Sequence, residues 1–472
     1  MKKFFLFTFI VFLLSFFTYF KGYSTPQKQF WDENYHIASA YKYLNDTFFL
    51  EPHPPLGKLF IALGEKLLNP NDSVNTKSFL KTDYIKKFPK DFRFDGVRFF
   101  PALFGWLNAV LFFILLYLIT DRLYLSFFGS FLYIFDNALI VHSRSAMLES
   151  TQLFFILLSL ITFVFAYKKD SLKFKHYFWF TLFLTLSVMV KLNSLILILL
   201  YIPLFYKEYK NHISIKEVLK KIFLIVLVSI ASIMIIFKLH FTLTQNLIKT
   251  KTYNLTKSEI KLVNSKKLSL IDGIKAYIRY IKIYEKGVPK YNPCKKNGEN
   301  GSLVMTWPLM DKTINYRWKK VDNKTKYLYL VGNPLIWLTG LIGVLLSISM
   351  LVGRFVYGLK IKSSKFEYIF IFTILYISYM IAVLQIDRVM YLYHYFIPLI
   401  FSFILAVLQF EYLFEDCLNK KDKVFLIASG LFIALILYVW WWFSPLTYYE
   451  YLDIYQFNQR NWFDFWQLKA VS

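Results

Sequence analysis

Apolar residues in this chain are gathered into long runs that are separated by basic or polar connections. A helix needs about 20 apolar residues to cross the hydrocarbon core of a bilayer, where every backbone hydrogen bond has to be satisfied internally. The pattern therefore predicts an all-α integral membrane protein with about eleven transmembrane helices. The runs lie near residues 4–20, 98–119, 123–141, 146–167, 176–190, 192–206, 221–239, 332–352, 366–384, 389–410 and 423–443.

Positive charges beside the runs predict how the helices are oriented. Lys2 and Lys3 place the N-terminus in the cytoplasm, because short cytoplasmic connections are enriched in lysine and arginine. The alternation that follows makes residues 21–97 and 240–330 external loops, with amphipathic helices in the first, and makes 446–472 an external aromatic tail. All of these segments are expected to belong to one transmembrane domain, residues 1–472.

Composition supports the membrane assignment and limits the partners. Hydrophobic residues make up 57% of the 472 residues, and the mean hydropathy is +0.42. Such values are too apolar for an ordinary soluble protein. The formal net charge of +26 has no nucleic-acid-binding module beside it. Membrane lipids, and no nucleic acid, are therefore the expected partners.

Two other features restrict the chemistry. The N-terminal segment lacks a small-residue cleavage pattern, so it is predicted to be a retained span rather than a signal peptide. Cys294 and Cys417 are expected on opposite sides of the membrane and should not pair. Since no fixed ligand spacing such as HExxH occurs, we predict no metal and no cofactor.

Candidate acid groups lie in the first predicted external loop. Asp32 and Glu33 open a helical pattern soon after the first apolar run, and the plain alternative is a helix N-cap on a wet loop. His53 stands in the stretch "EPHPPLGK", where two prolines hold it in a stiff extended turn. The alternative there is an ordinary proline-stopped turn, with Lys58 reaching to the surface.

Positively charged side chains recur near the predicted outer ends of the apolar runs. Each has a plain alternative, as a membrane anchor, a hairpin tip or part of an aromatic belt. Arg144, however, shares a short stretch with Asp136, His142 and Glu149, and this cluster is too polar for anchoring alone. The candidate cations are Lys58, Arg98, Arg144, Lys191 and Arg388, and His394 follows the last of them.

Outward carboxylates and cations together suit the transfer of a group from a lipid-linked phosphate to an acceptor. Cations hold the phosphate leaving group through charge-assisted bonds, and a carboxylate removes a proton from the attacking hydroxyl. A transporter would instead favour internal repeats and ionisable groups at mid-membrane, and the sequence shows neither.

Several blocks, taken in order, resemble the protein O-mannosyltransferase family. They are "FWDENYHIASAYKYL", "HPPLGKLFIALGEKL", "FRFDGVRFFPALFG", "DNALIVHSRSAMLESTQLFF", "WPLM", "GNPLIWLTGL" and "RVMYLYHYFIPLIF". The resemblance implies a GT-C type fold and an inverting transfer of mannose from polyprenyl-phosphate-mannose to Ser or Thr of proteins. It makes Asp32 the residue that activates the acceptor hydroxyl and Glu33 its essential neighbour. It also places Arg98 in the family's block after the first loop.

The remaining expectations follow from the same resemblance. The chain lacks the soluble MIR-type insert of eukaryotic members, so it resembles a bacterial form, in the cytoplasmic membrane with the active site facing the periplasm or exterior. Glu149 stands where many members have Asp. The five cations are candidates to hold the phosphate; His53 and His394 are expected to orient groups, and Glu149 and Trp307 to contact substrate. A glycolipid acceptor, as in the related aminoarabinose transferases, and a non-catalytic lipid-sugar transporter or binding subunit remain alternatives.

Overall fold

The computed structural model describes residues 2–248, 251–290 and 301–471, and most of these residues are helical. The helices are α1 (Lys2–Ser15), α2 (Glu33–Leu44), α3 (Leu56–Leu68), α4 (Lys77–Leu80), α5 (Asp95–Thr120), α6 (Leu123–Gly129), α7 (Phe131–Ile134), α8 (Asn137–Ser143), α9 (Glu149–Tyr167), α10 (Phe174–Val188), α11 (Tyr201–Lys210), α12 (Ile215–Thr242), α13 (Lys257–Asn264), α14 (Leu270–Gly287), α15 (Pro334–Phe355), α16 (Phe366–Leu384), α17 (Phe396–Leu413), α18 (Glu415–Lys420), α19 (Lys423–Tyr448) and α20 (Ile454–Asn458). A π-helix, Phe16–Phe20, extends α1, and 3₁₀ helices cover Leu192–Leu200, Val304–Leu309, Leu392–Tyr395 and Asp464–Trp466.

Each of the eleven predicted apolar runs coincides with helix. Within the described ranges, nine helical segments are long and apolar enough to cross a membrane. The run near 123–141 is instead a helix pair, Leu123–Ile134 and Asn137–Ser143, bent by 61°. The run near 176–190 corresponds to α10, which has 15 residues. The chain is thus a multi-pass membrane protein, with one broken and one short segment among the predicted spans.

Asp136 explains the bend between the two helices of that pair. One oxygen of its carboxylate accepts the backbone N–H of Leu139 at 2.9 Å, which caps α8 at its first turn. The other oxygen accepts the indole N–H of Trp337 at 2.7 Å and the backbone N–H of Asn333 at 3.1 Å. Asp136 therefore interrupts the apolar run and fastens the start of α15.

A small sheet departs from the predicted all-α architecture. Strands β1 (Ile314–Val321), β2 (Lys324–Leu330) and β3 (Tyr451–Leu452) pair antiparallel in that order. The β1–β2 turn contains Asp322 at a φ of 53°, a left-handed geometry that short hairpin turns require. The sequence analysis did not predict this hairpin; the available signal was the Asp-Asn pair between two stretches that alternate apolar and polar residues.

The chain divides into two compact units that are interleaved along the sequence. The first unit contains Met1–Lys21, Trp106–His142 and Lys290–Ser472, and the second contains Gly22–Gly105 and Ser143–Pro289. The expectation of one domain over residues 1–472, like the external placement of the loops, stays a prediction. Cys417 is a free thiol. Cys294 lies outside the described residues, as does part of the predicted loop 240–330.

The second unit holds the first predicted external loop and builds its core around two amphipathic helices, as the sequence predicted. The buried faces of α2 and α3 meet, with Ile37 and Tyr41 on one side and Ile61 on the other. Phe79 and Phe92 from the following segment close this core, and their rings lie 5.6 Å apart. This packing fixes the start of α2, where Asp32 and Glu33 stand.

Candidate active site

Asp32 and Glu33 are adjacent in the chain but stand in different surroundings. Asp32 is the N-cap of α2 and follows Trp31, whose φ of 51° turns the chain sharply into the helix. The Asp32 carboxylate makes no capping hydrogen bond to the first turn, so the plain capping role is not observed. Asp32 is half-buried, whereas Glu33 has no exposed surface. The positive end of the helix dipole favours a carboxylate at either position.

Glu33 is held by a two-bonded ion pair with Arg98. The Nε of Arg98 donates to Oε1 of Glu33 at 2.6 Å, and Nη2 donates to Oε2 at 2.8 Å. The same carboxylate accepts the backbone N–H groups of Phe30 at 3.0 Å and Ala146 at 2.8 Å. Glu33 therefore ties together the loop before α2, the first turn of α5 and the segment between α8 and α9.

Arg98 is completely committed to protein partners. Its remaining N–H groups donate to the carbonyls of Ser24 at 2.9 Å, Pro26 at 2.6 Å and Lys28 at 2.8 Å. Together with the two bonds to Glu33, these contacts use the five N–H groups of a guanidinium. Arg98 also has no exposed surface. Arg98 therefore has no N–H group left for a phosphate in this structure, and the phosphate contact that the sequence suggested stays a prediction.

The "HPP" turn leads directly into α3 and presents a second buried ion pair. Lys58, in the first turn of α3, pairs with Glu51, and Glu51 also accepts the hydroxyl of Ser39 at 2.9 Å. Burial lowers the pKa of Lys58; the Glu51 carboxylate opposes this effect, and the ammonium of Lys191 adds to it. Burial likewise raises the pKa of Glu51, against the pull of Lys58. A negative charge that is brought near such a buried lysine favours its protonated form and raises its pKa.

Lys191 forms a third buried pair, with Glu149 at the first turn of α9. Lys191 Nζ lies 2.6 Å from Oε1 of Glu149, and both side chains are about nine-tenths buried. Gln152, one turn further along α9, donates to Asn193 Oδ1 at 2.5 Å and to Ser194 Oγ at 2.7 Å. The residues before Lys191 lie beside the start of α3, because the backbone N–H of Leu56 donates to the carbonyl of Met189 at 3.0 Å.

Arg144 is buried as well, and it donates from Nη2 to the carbonyl of Gly22. Gly22 has a φ of 66°, a conformation that glycine adopts without steric cost. Arg144 therefore holds the beginning of the loop whose later carbonyls are held by Arg98. The two predicted arginines of this unit thus both order residues 22–28.

Three predicted site residues belong to the first unit. Trp307 is fully buried, its ring stacks on that of His394 at 6.3 Å, and its indole N–H donates to Ser302. Arg388 is half-buried beside Met390. The predicted cluster around Arg144 is divided in the same way, because Asp136 and His142 lie in the first unit and Arg144 and Glu149 in the second.

Two functional candidates were missed by the sequence reasoning. Glu51 opens the stretch "EPHPPLGK". The available signal for its ion pair with Lys58 was the presence of this acid seven residues before the lysine. Gln152 lies one turn beyond Glu149 on the same helix face. That spacing was the available signal that Gln152 contacts the segment that follows Lys191. Among the described residues, no three His, Cys, Asp or Glu side chains are grouped to hold a metal ion. The expectation that the protein needs no metal stays a prediction.

Comparison with protein families covers nearly the whole chain. The profile of dolichyl-phosphate-mannose-protein mannosyltransferases matches residues 9–254, and that of the C-terminal four-transmembrane region of protein O-mannosyltransferases matches residues 287–466. Protein O-mannosyltransferase 1 of Drosophila pseudoobscura pseudoobscura is 34% identical over 145 residues. That match covers 31% of this chain and 15% of the relative, so the aligned part is a small fraction of the fly protein.

Solved structures resemble the fold over almost the entire chain. The S. cerevisiae protein O-mannosyltransferase Pmt1-Pmt2 complex bound to the sugar donor matches with a TM-score of 0.78 and 14% identity, covering 98% of this chain and 92% of that chain. The Archaeoglobus fulgidus oligosaccharyltransferase in the apo form matches with a TM-score of 0.52 and 11% identity, covering 95% and 56%. These likenesses show the GT-C type membrane fold that the sequence predicted.

Proposed function

The chain belongs to the protein O-mannosyltransferase family, and from that premise we propose that it transfers mannose from a polyprenyl-phosphate-linked donor to a Ser or Thr hydroxyl of an acceptor protein. One observation carries the proposal: Asp32 stays half-exposed at the start of α2 while Glu33 beside it is locked by Arg98. A rigid neighbour of this kind fixes the direction of a base, and catalysis depends on such positioning.

In the proposed reaction Asp32 is the general base. Its carboxylate accepts the proton of the acceptor hydroxyl, and the hydroxyl oxygen attacks the anomeric carbon of the mannose. The bond between that carbon and the phosphate oxygen breaks, and polyprenyl phosphate leaves with the bonding electron pair. A single displacement inverts the anomeric centre, and no nucleotide sugar, metal or cofactor enters the step. A positioned base contributes about a hundred- to ten-thousandfold to the rate.

Lys58 and Lys191 are the strongest candidates to receive the phosphate. Both are buried and each is paired with a carboxylate, and the N–H of Leu56, two residues before Lys58, donates to the carbonyl of Met189, two residues before Lys191. A phosphate that enters this region gains charge-assisted hydrogen bonds from two ammonium groups. Arg144 remains a third candidate, and Arg98 acts by holding Glu33.

The predicted site residues of the first unit are proposed to contact substrate: Arg388 is a further candidate for the phosphate, His394 is an orienting group, and Trp307 stacks on His394. In the second unit, His53 is a further candidate orienting group. Glu149 acts through Lys191. We propose further that the chain lies in a bacterial cytoplasmic membrane with the active site facing the periplasm or exterior.

A substrate panel tests the reaction class. Purified protein in lipid bilayers is incubated with polyprenyl-phosphate-mannose and either a Ser/Thr-rich peptide, the same peptide with every Ser and Thr replaced by Ala, or a glycolipid. The proposal predicts mannosyl-peptide with the first acceptor alone, and a product of inverted anomeric configuration. Transfer to the glycolipid without transfer to the peptide would overturn the protein acceptor, and retention of configuration would overturn the single displacement.

A further inference from the structure

Helix α14, in the second predicted external loop, packs against the region of the "HPP" turn. Its buried face, which carries Gly273 and Tyr277, joins a core cluster with Phe237 of α12 and with Leu50, just before the turn. The approach of α14 to α12 is close, since a Cβ at Gly273 would come within 2.7 Å of the Phe241 ring. A segment more than 200 residues away in sequence thus borders the turn that precedes Lys58.

Tyr277 is the residue of α14 that reaches the turn. It is 1% exposed, and its hydroxyl donates to the backbone carbonyl of His53 at 2.5 Å. Its ring lies 5.1 Å from that of Phe237 and 5.5 Å from that of His240. Burial raises the pKa of Tyr277 far above its ordinary value, and the Glu51 carboxylate raises it further. The hydroxyl therefore remains a proton donor throughout the physiological range.

The turn cannot supply this hydrogen bond from its own backbone. Pro54 and Pro55, which follow His53, have no N–H group. The next N–H, that of Leu56, donates to the carbonyl of Met189 at 3.0 Å, and the N–H of Lys58 donates to Pro55 at 3.1 Å. The His53 carbonyl takes a donor from outside the turn, the hydroxyl of Tyr277, and a partly buried carbonyl is more stable with such a partner than without one.

We propose that Tyr277 is a positioning residue of the active site, which sets the "HPP" turn and through it the place of Lys58 at the donor phosphate. The inference deepens the proposed function and rests on it for the part that concerns the donor. The second predicted external loop then has a structural role, because the hydroxyl of Tyr277 holds the turn that precedes α3. A defect in this contact weakens donor binding rather than the proton transfer at Asp32.

Tyr277→Phe removes the hydroxyl and keeps the ring, and Tyr280→Phe is a matched control. Tyr280 lies on the same helix, and its ring contacts are with Tyr253 and Tyr284. The measurements are the KM for polyprenyl-phosphate-mannose, kcat, and hydrogen exchange of the peptide that covers residues 48–58. A structural readout is included because it does not depend on the identity of the substrate.

Tyr277→Phe is expected to raise the donor KM about five- to tenfold, the size of one lost buried hydrogen bond, with kcat within about twofold of wild type. Exchange in residues 48–58 should accelerate at the same time, and Tyr280→Phe should behave as wild type in both assays. Gly273→Ala, which pushes α14 away from Phe241, should act in the same direction.

Unchanged exchange and unchanged KM in Tyr277→Phe would overturn the inference. Equal effects of Tyr277→Phe and Tyr280→Phe would also overturn it, because the loss would then be general to the helix. If wild type transfers no mannose but Tyr277→Phe still accelerates exchange, the proposed function fails while the placement of the turn by Tyr277 stands.

Discussion

Arg98 and Glu33 form a two-bonded ion pair with no exposed surface, although 64 residues separate them in the chain. Asp32, the neighbour of Glu33, remains half-buried at the helix start. Of the two adjacent carboxylates, that of Glu33 is therefore engaged in a buried ion pair, and that of Asp32 is the one that we propose as the base. This division explains how two adjacent acids can have different roles at one helix terminus.

Arg98→Ala tests the structural part of this division. Removing one partner of a buried ion pair leaves an uncompensated charge, and the expected loss is about 3–5 kcal/mol in the free energy of unfolding. Arg93→Ala is the matched control, because the Arg93 side chain is 63% exposed and pairs with Asp95 at the surface. Thermal unfolding in detergent compares the two. An Arg98→Ala protein of normal stability that no longer binds the donor would restore the phosphate-binding role.

The lowered pKa of Lys58 predicts that donor binding depends on pH. Because burial lowers the pKa of Lys58, its charge is lost, as the pH rises, before that of an ordinary lysine of pKa 10.5. The donor KM should therefore rise on the alkaline side below pH 10.5. Glu51→Gln removes the carboxylate that opposes the lowering, so the midpoint should move to lower pH. Glu217→Gln, which removes the acid of an exposed ion pair with Lys220, should leave this midpoint unchanged.

Lys191 and Glu149 allow stability to be separated from donor binding. Lys191→Met and Glu149→Gln should each destabilise the protein, and the double variant should recover part of the loss through a coupling of about 0.5–3 kcal/mol. Donor affinity should fall in Lys191→Met and stay low in the double variant. Recovery of donor affinity together with stability would mean that Lys191 has no contact with the phosphate.

Gly57 tests how closely α3 has to approach its neighbours. A Cβ at this position would lie 2.8 Å from a methyl of Leu148 and 3.1 Å from one of Val190. Gly57→Ala should therefore displace the first turn of α3 and cost about 1–3 kcal/mol in stability, with reduced turnover. Gly287→Ala, where nothing lies within 4 Å, is the control. Wild-type turnover in Gly57→Ala would show that the placement of Lys58 tolerates such a shift.

Local features of the sequence predicted the framework well. The apolar runs located the membrane helices, and the acids at residues 32–33 marked a helix start, which α2 confirms. The bend at Asp136 was hidden inside an apolar run, because a single carboxylate hardly changes the hydropathy of its surroundings. The carboxylate acts on the backbone instead, because it accepts hydrogen bonds from two backbone N–H groups, those of Leu139 and Asn333.

Partnerships between distant residues were beyond the sequence. From the sequence, Arg98 was a candidate to bind a phosphate. Nothing in "FDGVR" indicates that five oxygen atoms of residues 24–33 accept all of its hydrogen bonds. Tyr277 lies on one of many amphipathic helix faces, and its contact with His53 depends on how α14 packs on α12. Burial and pairing are decided by tertiary contacts, and a single sequence records those contacts weakly.

Asp32→Asn tests directly whether Asp32 is the general base of the transfer. Wild type and Asp32→Asn are placed in lipid bilayers with polyprenyl-phosphate-mannose and a Ser/Thr-rich peptide, and both mannosyl-peptide formation and donor binding are measured. We expect Asp32→Asn to lose about a hundred- to ten-thousandfold in turnover, with unchanged donor affinity and thermal stability. Wild-type turnover in a folded Asp32→Asn protein would contradict the assignment of Asp32 as the base.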